Sequence, residues 1–184
     1  MSTFISGGCK NGKSFYAQQI ARAAGSPLYY IATMIPHDDE DQARIRRHRD
    51  ERAGWGFETL ECGSDILSCL EHADANGSFL LDSVTALLSN EMFSPDGFHP
   101  EAAAKIADEL CRFVGRAPKT VLVSDFIYSD AMEYDEWTLA YRRGLAQIDR
   151  ALARACDRVI EVCAGQIICD YCTFNHKNLL ISFA

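Results

Sequence analysis

Two kinds of apolar pattern alternate along the chain. Short apolar runs, of the kind buried on both faces of a sheet, occur at Thr3-Phe4-Ile5-Ser6, Leu28-Tyr29-Tyr30-Ile31-Ala32, Phe57 to Cys62, Phe79-Leu80-Leu81-Asp82, Lys119 to Ser124 and Arg158 to Cys163. Between them lie stretches with helical spacing. Ser14 to Ala24 puts Ala17, Ile20, Ala21 and Ala24 on one side and stops at Gly25-Ser26-Pro27. Asp38 to Arg52 is charged and helical in propensity. Ser64 to His72 reads as a short helix capped by Ser64. Val84 to Phe93 is an apolar helix ending at the turn cluster Ser94-Pro95-Asp96-Gly97. Glu101 to Val114 is amphipathic through Ala103, Ile106, Ala107, Leu110 and Val114, and Trp137 to Ala155 is a long helix. Gln166 to Ala184 has room for a hairpin. Strands alternating with helices predict an α/β fold, a mostly parallel central sheet with helices on both faces.

Length and composition narrow the class. With 184 residues, 48% of them hydrophobic, the chain suits a single domain over residues 1–184 with a core of its own. No apolar run approaches 18 residues, so no membrane span is expected, and Met1 to Gly7 lacks the features of a secretory signal. A cytoplasmic location with reduced thiols follows as an expectation. The net charge of −8 argues against nucleic acid as a partner. The local exception is Arg44, Arg46, Arg47, Arg49 and Arg52, a basic stretch suited to a small anionic ligand; a solvated helix face accounts for it equally well. Among eight cysteines, Cys169 and Cys172 form one CxxC pair with His176 beyond it, half of what a zinc site ordinarily needs.

The most specific motif is Gly7-Gly8-Cys9-Lys10-Asn11-Gly12-Lys13-Ser14, a full match to G-x-x-x-x-G-K-[ST] placed between the first strand and the first helix. Glycines let main-chain N–H groups curl around a polyphosphate, and the helix beginning there turns its positive end to the anion. Lys13 can neutralise the β and γ phosphates, and Ser14 can place its hydroxyl on a magnesium ion. The expected fold is therefore P-loop NTPase-like. Such a loop also wants an acid at the end of a neighbouring strand to hold the magnesium. Asp82 is the first candidate and Asp125 the second, although either can instead cap the helix that follows.

His48 stands among the arginines, and on a helix Arg44, His48 and Arg52 share one face. A neutral imidazole can attack phosphorus to give a phosphoramidate, while flanking guanidiniums hold the anion and lower the imidazole pKa. Spacing alone fits an exposed histidine on a charged helix as well.

Taken together these residues resemble the bifunctional adenosylcobinamide kinase / adenosylcobinamide-phosphate guanylyltransferase family of cobalamin biosynthesis. The likeness rests on the Gly7–Ser14 loop, on Tyr30-Ile31-Ala32-Thr33, and on the block Asp38-Asp39-Glu40, Arg44-Ile45, His48 and Arg52. Thr59 with Glu61, Leu80-Leu81-Asp82-Ser83-Val84-Thr85 and Ser89-Asn90 extend it. The resemblance implies two reactions. A nucleoside triphosphate, GTP or ATP, phosphorylates the aminopropanol hydroxyl of adenosylcobinamide. His48 then takes GMP from GTP and passes it to adenosylcobinamide phosphate, giving adenosylcobinamide-GDP. It further implies that Lys13, Ser14 and Mg2+ manage the phosphates, and that Glu61 and Asp82 contact nucleotide or metal. Ala32, Thr33 and Met34 with Arg49, Asp50, Glu51 and Arg52 would line the guanine-nucleotide site. A trimer with sites at subunit contacts is implied too, with the helix Val84 to Phe93 buried there.

The departures lie in the second half. Where the family carries N-E-V-G the chain reads Ser124-Asp125-Phe126-Ile127. Tyr141-Arg142 is kept, but Ala146 replaces a glycine and Asp149 an asparagine, and Gly165-Gln166-Ile167-Ile168-Cys169-Asp170 replaces the terminal pattern. Two other readings stay open: a relative with one activity or a different acceptor, and a non-catalytic module that only binds nucleotide.

Overall fold

The computed structural model describes residues 1–36 and 38–172, without the side chains of residues 44, 48, 51 and 172. The chain runs β1 (Thr3–Gly7), α1 (Lys13–Ala23), β2 (Leu28–Ala32), α2 (Asp39–Glu51), β3 (Phe57–Glu61), a 3₁₀ turn (Ile66–Glu71), β4 (Ser78–Asp82) and α3 (Val84–Met92). It continues with β5 (Phe93–Ser94), β6 (Gly97–Phe98), α4 (Ala102–Arg116), β7 (Thr120–Asp125), α5 (Glu136–Ala155), β8 (Arg158–Cys163) and β9 (Gln166–Cys172).

The main sheet has seven strands in the order β3-β2-β4-β7-β1-β8-β9. All pairings are parallel except β8 with the edge strand β9. Successive strand residues point to opposite faces, and in the central strands β1, β2, β4 and β7 both faces are dry. Phe4, Tyr29, Ile31, Phe79, Leu81 and Leu122 meet α3, α4 and α5 on one side. Ile5, Tyr30, Leu80, Val121, Val123, Ile160 and Val162 meet Ala17 and Ala21 of α1 on the other. Each fully buried Val, Leu, Ile or Phe side chain among them contributes roughly 1.5–3 kcal/mol. The helix α2 differs from the rest: Ala43 and Ile45 are its only apolar residues, so the core does not hold it as it holds its neighbours. Among the described residues no helix is long and apolar enough to cross a membrane.

Three local expectations change. Ser64 caps no helix; residues 66–71 form a 3₁₀ turn entered through Asp65 at φ 50 without a side-chain cap. Tertiary contacts shape that entry: Asp65 donates its N–H to Glu91 Oε1 (3.1 Å), and the Ser64 carbonyl accepts from the Cys62 thiol (3.2 Å). The turn at Ser94–Gly97 is flanked by the short hairpin β5–β6, whose Phe93 and Phe98 rings stack at 5.6 Å. The apolar side of α3 faces this chain's own core, with Val84, Leu87, Leu88 and Met92 buried against α4 and α5. No subunit contact is needed to cover it. The stretch Gln166–Ala184, expected to add a hairpin, supplies one strand among the described residues, β9, which pairs antiparallel with β8; residues 173–184, with His176, lie outside the described residues.

Candidate nucleotide site

The phosphate loop, Ala32, Glu61, Asp82 and Asp125 collect at the carboxyl ends of the parallel strands, where an open α/β sheet binds its ligands. Gly7, the last residue of β1, lies in register with Asp125 of β7 on one side and Val162 of β8 on the other. A methyl group at Gly7 would fall 2.1 Å from the Val162 carbonyl oxygen, so no other residue fits this close approach. Beyond it Gly8, Cys9 and Lys10 are exposed, and Lys10 and Gly12 take left-handed backbone at φ 53 and 89. The Asn11 amide braces the loop: its Nδ2 donates to the Val162 carbonyl and its Oδ1 accepts from the Lys13 N–H (3.3 Å). The β8–β9 turn clasps the loop from outside. Gly165 donates its N–H to the Asn11 carbonyl (3.0 Å), and the Tyr16 hydroxyl donates to the Gly165 carbonyl (2.9 Å). Helix α1 starts after Gly12 with no side-chain cap, which leaves its positive end to an anion.

Lys13 is 5% exposed, and its ammonium donates to the Gly8 carbonyl (2.7 Å) and to Asp125 Oδ1 (2.8 Å). Asp125 thus serves the loop lysine and caps no helix, since α5 begins at residue 136. Asp82 caps nothing either; Ser83 does so for α3, its hydroxyl accepting from the Ala86 N–H (3.3 Å). Asp82 instead ends β4, in register with Ala32 and Val123, and its Oδ2 is buried without a partner. A buried carboxylate oxygen left unpaired is costly unless a ligand or cation meets it. With the Ser14 hydroxyl in the first turn of α1, that oxygen is a fit donor set for Mg2+, a hard cation that takes few protein oxygens.

A cavity of about 500 Å³ opens beside Asp82, between the ends of β2, β3 and β4 and the helix α2. Ala32, Met34, Arg49 and Arg52, anticipated for the guanine nucleotide, line it together with Glu61 and Asp82, anticipated for nucleotide or metal. Tyr30 and Arg52 form its floor. The Arg52 guanidinium carbon lies 3.3 Å from the Tyr30 ring centroid, and Arg52, 7% exposed, leaves Nη1 buried and unpaired. Burial, then the charge of Asp82, raises the Tyr30 hydroxyl far above its ordinary pKa, so it stays a proton donor. At the rim Arg49 faces Glu61 at 3.8 Å, a solvated pair worth little by itself.

Of the residues anticipated over 32–34 and 48–52, four are not placed on the cavity. Thr33 is fully buried, and its hydroxyl is spent on Ser83, donating to the carbonyl and accepting from the N–H, both at 2.8 Å. Asp50 is exposed on α2 and is not among the residues lining this cavity. The side chains of Glu51 and His48 lie outside those described. By position His48 stands three residues after Ile45 and four before Arg52, both of which line the cavity. Sequence reasoning missed Tyr30, Gln42, Arg46 and Ser83 as lining groups, and Asp125 as the partner of Lys13. The CxxC candidate falls partly outside the described residues, and among those described no three His, Cys, Asp or Glu side chains gather to hold a metal.

Comparison with known proteins agrees with the geometry. Residues 3–169 match the model of the family described as cobinamide kinase / cobinamide phosphate guanyltransferase. The chain is 32% identical to the bifunctional adenosylcobalamin biosynthesis protein CobU of Salmonella typhimurium, covering 90% of this chain and 97% of that one. It is 30% identical to the corresponding CobP protein of Pseudomonas aeruginosa, covering 90% and 94%. A RadB recombinase structure is a looser likeness, with a TM-score of 0.47 and 18% identity over 87% of this chain and 73% of that one; nothing here rests on it. Matched over residues 3–169, from β1 to within β9, the chain belongs to the cobinamide kinase / cobinamide phosphate guanyltransferase family.

Proposed function

We propose that the chain performs both reactions of its family at the carboxyl edge of the sheet, phosphorylating adenosylcobinamide and then converting the phosphate to adenosylcobinamide-GDP. The observation that carries this reading is the cavity beside α2, where Arg52 and Asp82 each leave a buried polar atom unpaired. The unpaired Arg52 nitrogen suits a phosphoryl oxygen of the nucleotide, and the unpaired Asp82 oxygen suits the cation that accompanies its phosphates.

Strand spacing sets the scale. β1 and β2 are separated by β4 and β7, three steps of about 4.8 Å, or roughly 14 Å. An extended nucleoside triphosphate, counted from γ-phosphate to base, bridges such a span, with its β and γ groups on the Gly7–Ser14 loop and its nucleoside in the cavity. For that to happen Lys13 exchanges Asp125 for phosphate oxygens. Mg2+ held by Ser14 and Asp82 would supply neutralising charge to those oxygens.

In the kinase step the corrinoid's hydroxyl oxygen attacks the γ-phosphorus, and the nucleoside diphosphate leaves with the bridging electron pair. In the guanylyl step an unprotonated ring nitrogen of His48 attacks the α-phosphorus of GTP and pyrophosphate leaves. The phosphate of adenosylcobinamide phosphate then attacks the same phosphorus, and the P–N bond breaks back to free imidazole. Arg46, Arg49 and Arg52 border the cavity and stabilise the charge that develops on the α-phosphoryl oxygens. The whole chain acts as one unit, and a trimer is the assembly proposed for it.

Incubation with adenosylcobinamide, GTP and Mg2+, followed by mass spectrometry of the corrinoid, tests the reading. The GDP derivative is the expected product. A protein that becomes guanylylated but leaves adenosylcobinamide and its phosphate untouched has a different acceptor, the reading that the departures at Ser124–Ile127 and Asp149 would favour.

A further inference from the structure

Asp125 occupies the middle of the crevice. Its strand, β7, lies between β1, which carries the phosphate loop, and β4, which carries Asp82. Its backbone is fixed at both ends: its own N–H donates to Thr85 Oγ1 (2.9 Å), and the Phe126 N–H donates to the Gly7 carbonyl (2.9 Å). Thr85 is tied in turn to α5, its carbonyl accepting from the Tyr141 hydroxyl (2.8 Å). The side chain is 22% exposed, reachable yet sheltered, with Oδ1 on the Lys13 ammonium. The charged and titratable groups around it are Lys13 from α1, and Tyr141 and Asp149 from α5.

When Lys13 turns to the β and γ phosphates, this carboxylate loses its cation beside a polyanion. A bare carboxylate is repelled there unless a proton donor comes between. The kinase step brings one, because the acceptor hydroxyl must reach the γ-phosphorus and shed its proton. Building on the function proposed above, we infer that Asp125 is the general base of the kinase step. As the acceptor oxygen forms its bond to the γ-phosphorus, its O–H bond breaks and the proton passes to an Asp125 carboxylate oxygen. The bridging P–O bond breaks, the nucleoside diphosphate departs with the electron pair, and Asp125 later gives the proton to solvent. The ion pair with Lys13 is then the resting form of both groups: the same event that engages the lysine with phosphate frees the base.

The test uses the full chain with adenosylcobinamide and ATP or GTP. Asp125→Asn lowers kcat for corrinoid phosphorylation by about 100-fold or more, while a non-hydrolysable triphosphate analogue binds as well as to the wild type or better. Asp125→Glu recovers part of the rate. Added formate recovers part of the rate of Asp125→Ala, where chloride at equal ionic strength does not. The role is overturned if kcat of Asp125→Asn stays within threefold of wild type, if the loss lies wholly in weaker binding of the analogue, or if formate restores nothing. A wild-type protein that binds the analogue yet phosphorylates no corrinoid overturns the functional reading and this role with it; wild-type turnover beside an unimpaired Asp125→Asn overturns this role alone.

Discussion

The guanidinium of Arg52 lies over the ring of Tyr30, 3.3 Å from carbon to centroid, where β2 meets the end of α2. The contact ties the most polar helix of the molecule to the sheet. It also holds a cation on the floor of the cavity without neutralising it. Removing that cation should weaken GTP binding. We predict that Arg52→Ala raises the Kd for GTP about 10- to 100-fold, read by calorimetry, and that Arg52→Lys recovers little of it because an ammonium cannot reproduce the planar fork or the stacking. Unchanged GTP affinity in Arg52→Ala would remove the cavity from the nucleotide site.

His48→Ala should abolish incorporation of label from α-labelled GTP, while label from γ-labelled triphosphate still reaches adenosylcobinamide. In the wild type the protein-bound label should be lost in acid and survive base, as a P–N bond requires. Equal labelling of wild type and variant would exclude the histidine as nucleophile.

Gly7→Ala should disturb the phosphate loop more than any exposed glycine substitution. The added methyl meets backbone, 2.1 Å from the Val162 carbonyl, and β1 and β8 must part to admit it. We expect a destabilisation of about 2 kcal/mol or more, with loss of triphosphate binding, measured by urea unfolding and by fluorescent-nucleotide titration. Gly8→Ala, with open space around it, serves as the contrast.

Asp149 gives a pH signature. It is 3% exposed on α5, Tyr128 donates its hydroxyl to Oδ2 (3.1 Å), and burial pushes the carboxyl up to about 7. Below pH 4 it is protonated both folded and unfolded, and nothing is lost. Between about 4 and 7 the unfolded chain ionises it while the folded chain keeps the proton, so stability falls as pH rises, by up to about 1.4 kcal/mol per unit, and levels off above 7. Asp149→Asn lacks this term. Its stability relative to wild type should therefore grow from pH 4 to 7 and stay constant beyond, in urea melts across the range; a pH-independent difference would refute the shift.

Much of this was legible in the residues. Phe79-Leu80-Leu81 and Val121-Leu122-Val123 announce strands buried on both faces, and the Gly7–Ser14 spacing announces a phosphate loop before any fold is known. Strand order was not legible, and the site depends on it. Lys13 and Asp125 stand 112 residues apart and meet only because β7 inserts beside β1. Tyr30 read as one more core aromatic in an apolar strand, because periodicity reports which face a residue takes and not what crosses above it. Thr33 shows the converse: it lies between Ala32 and Met34, which do line the cavity, yet its hydroxyl is consumed by a backbone contact no local pattern encodes. Ser64 failed as a cap because the neighbouring segment answers to Glu91, which arrives from another helix.

The clasp of the β8–β9 turn on the phosphate loop bears on how the molecule comes into being. Asn11 leaves the ribosome early, but its carbonyl waits for the N–H of Gly165, more than 150 residues later. The Asn11 amide likewise waits for Val162. A growing polypeptide therefore displays the glycine-rich signature long before it owns a nest shaped for phosphate, and competence waits until residues 162–165 have been made. Chains cut short before residue 162 would carry the whole motif and still have no grip on triphosphate.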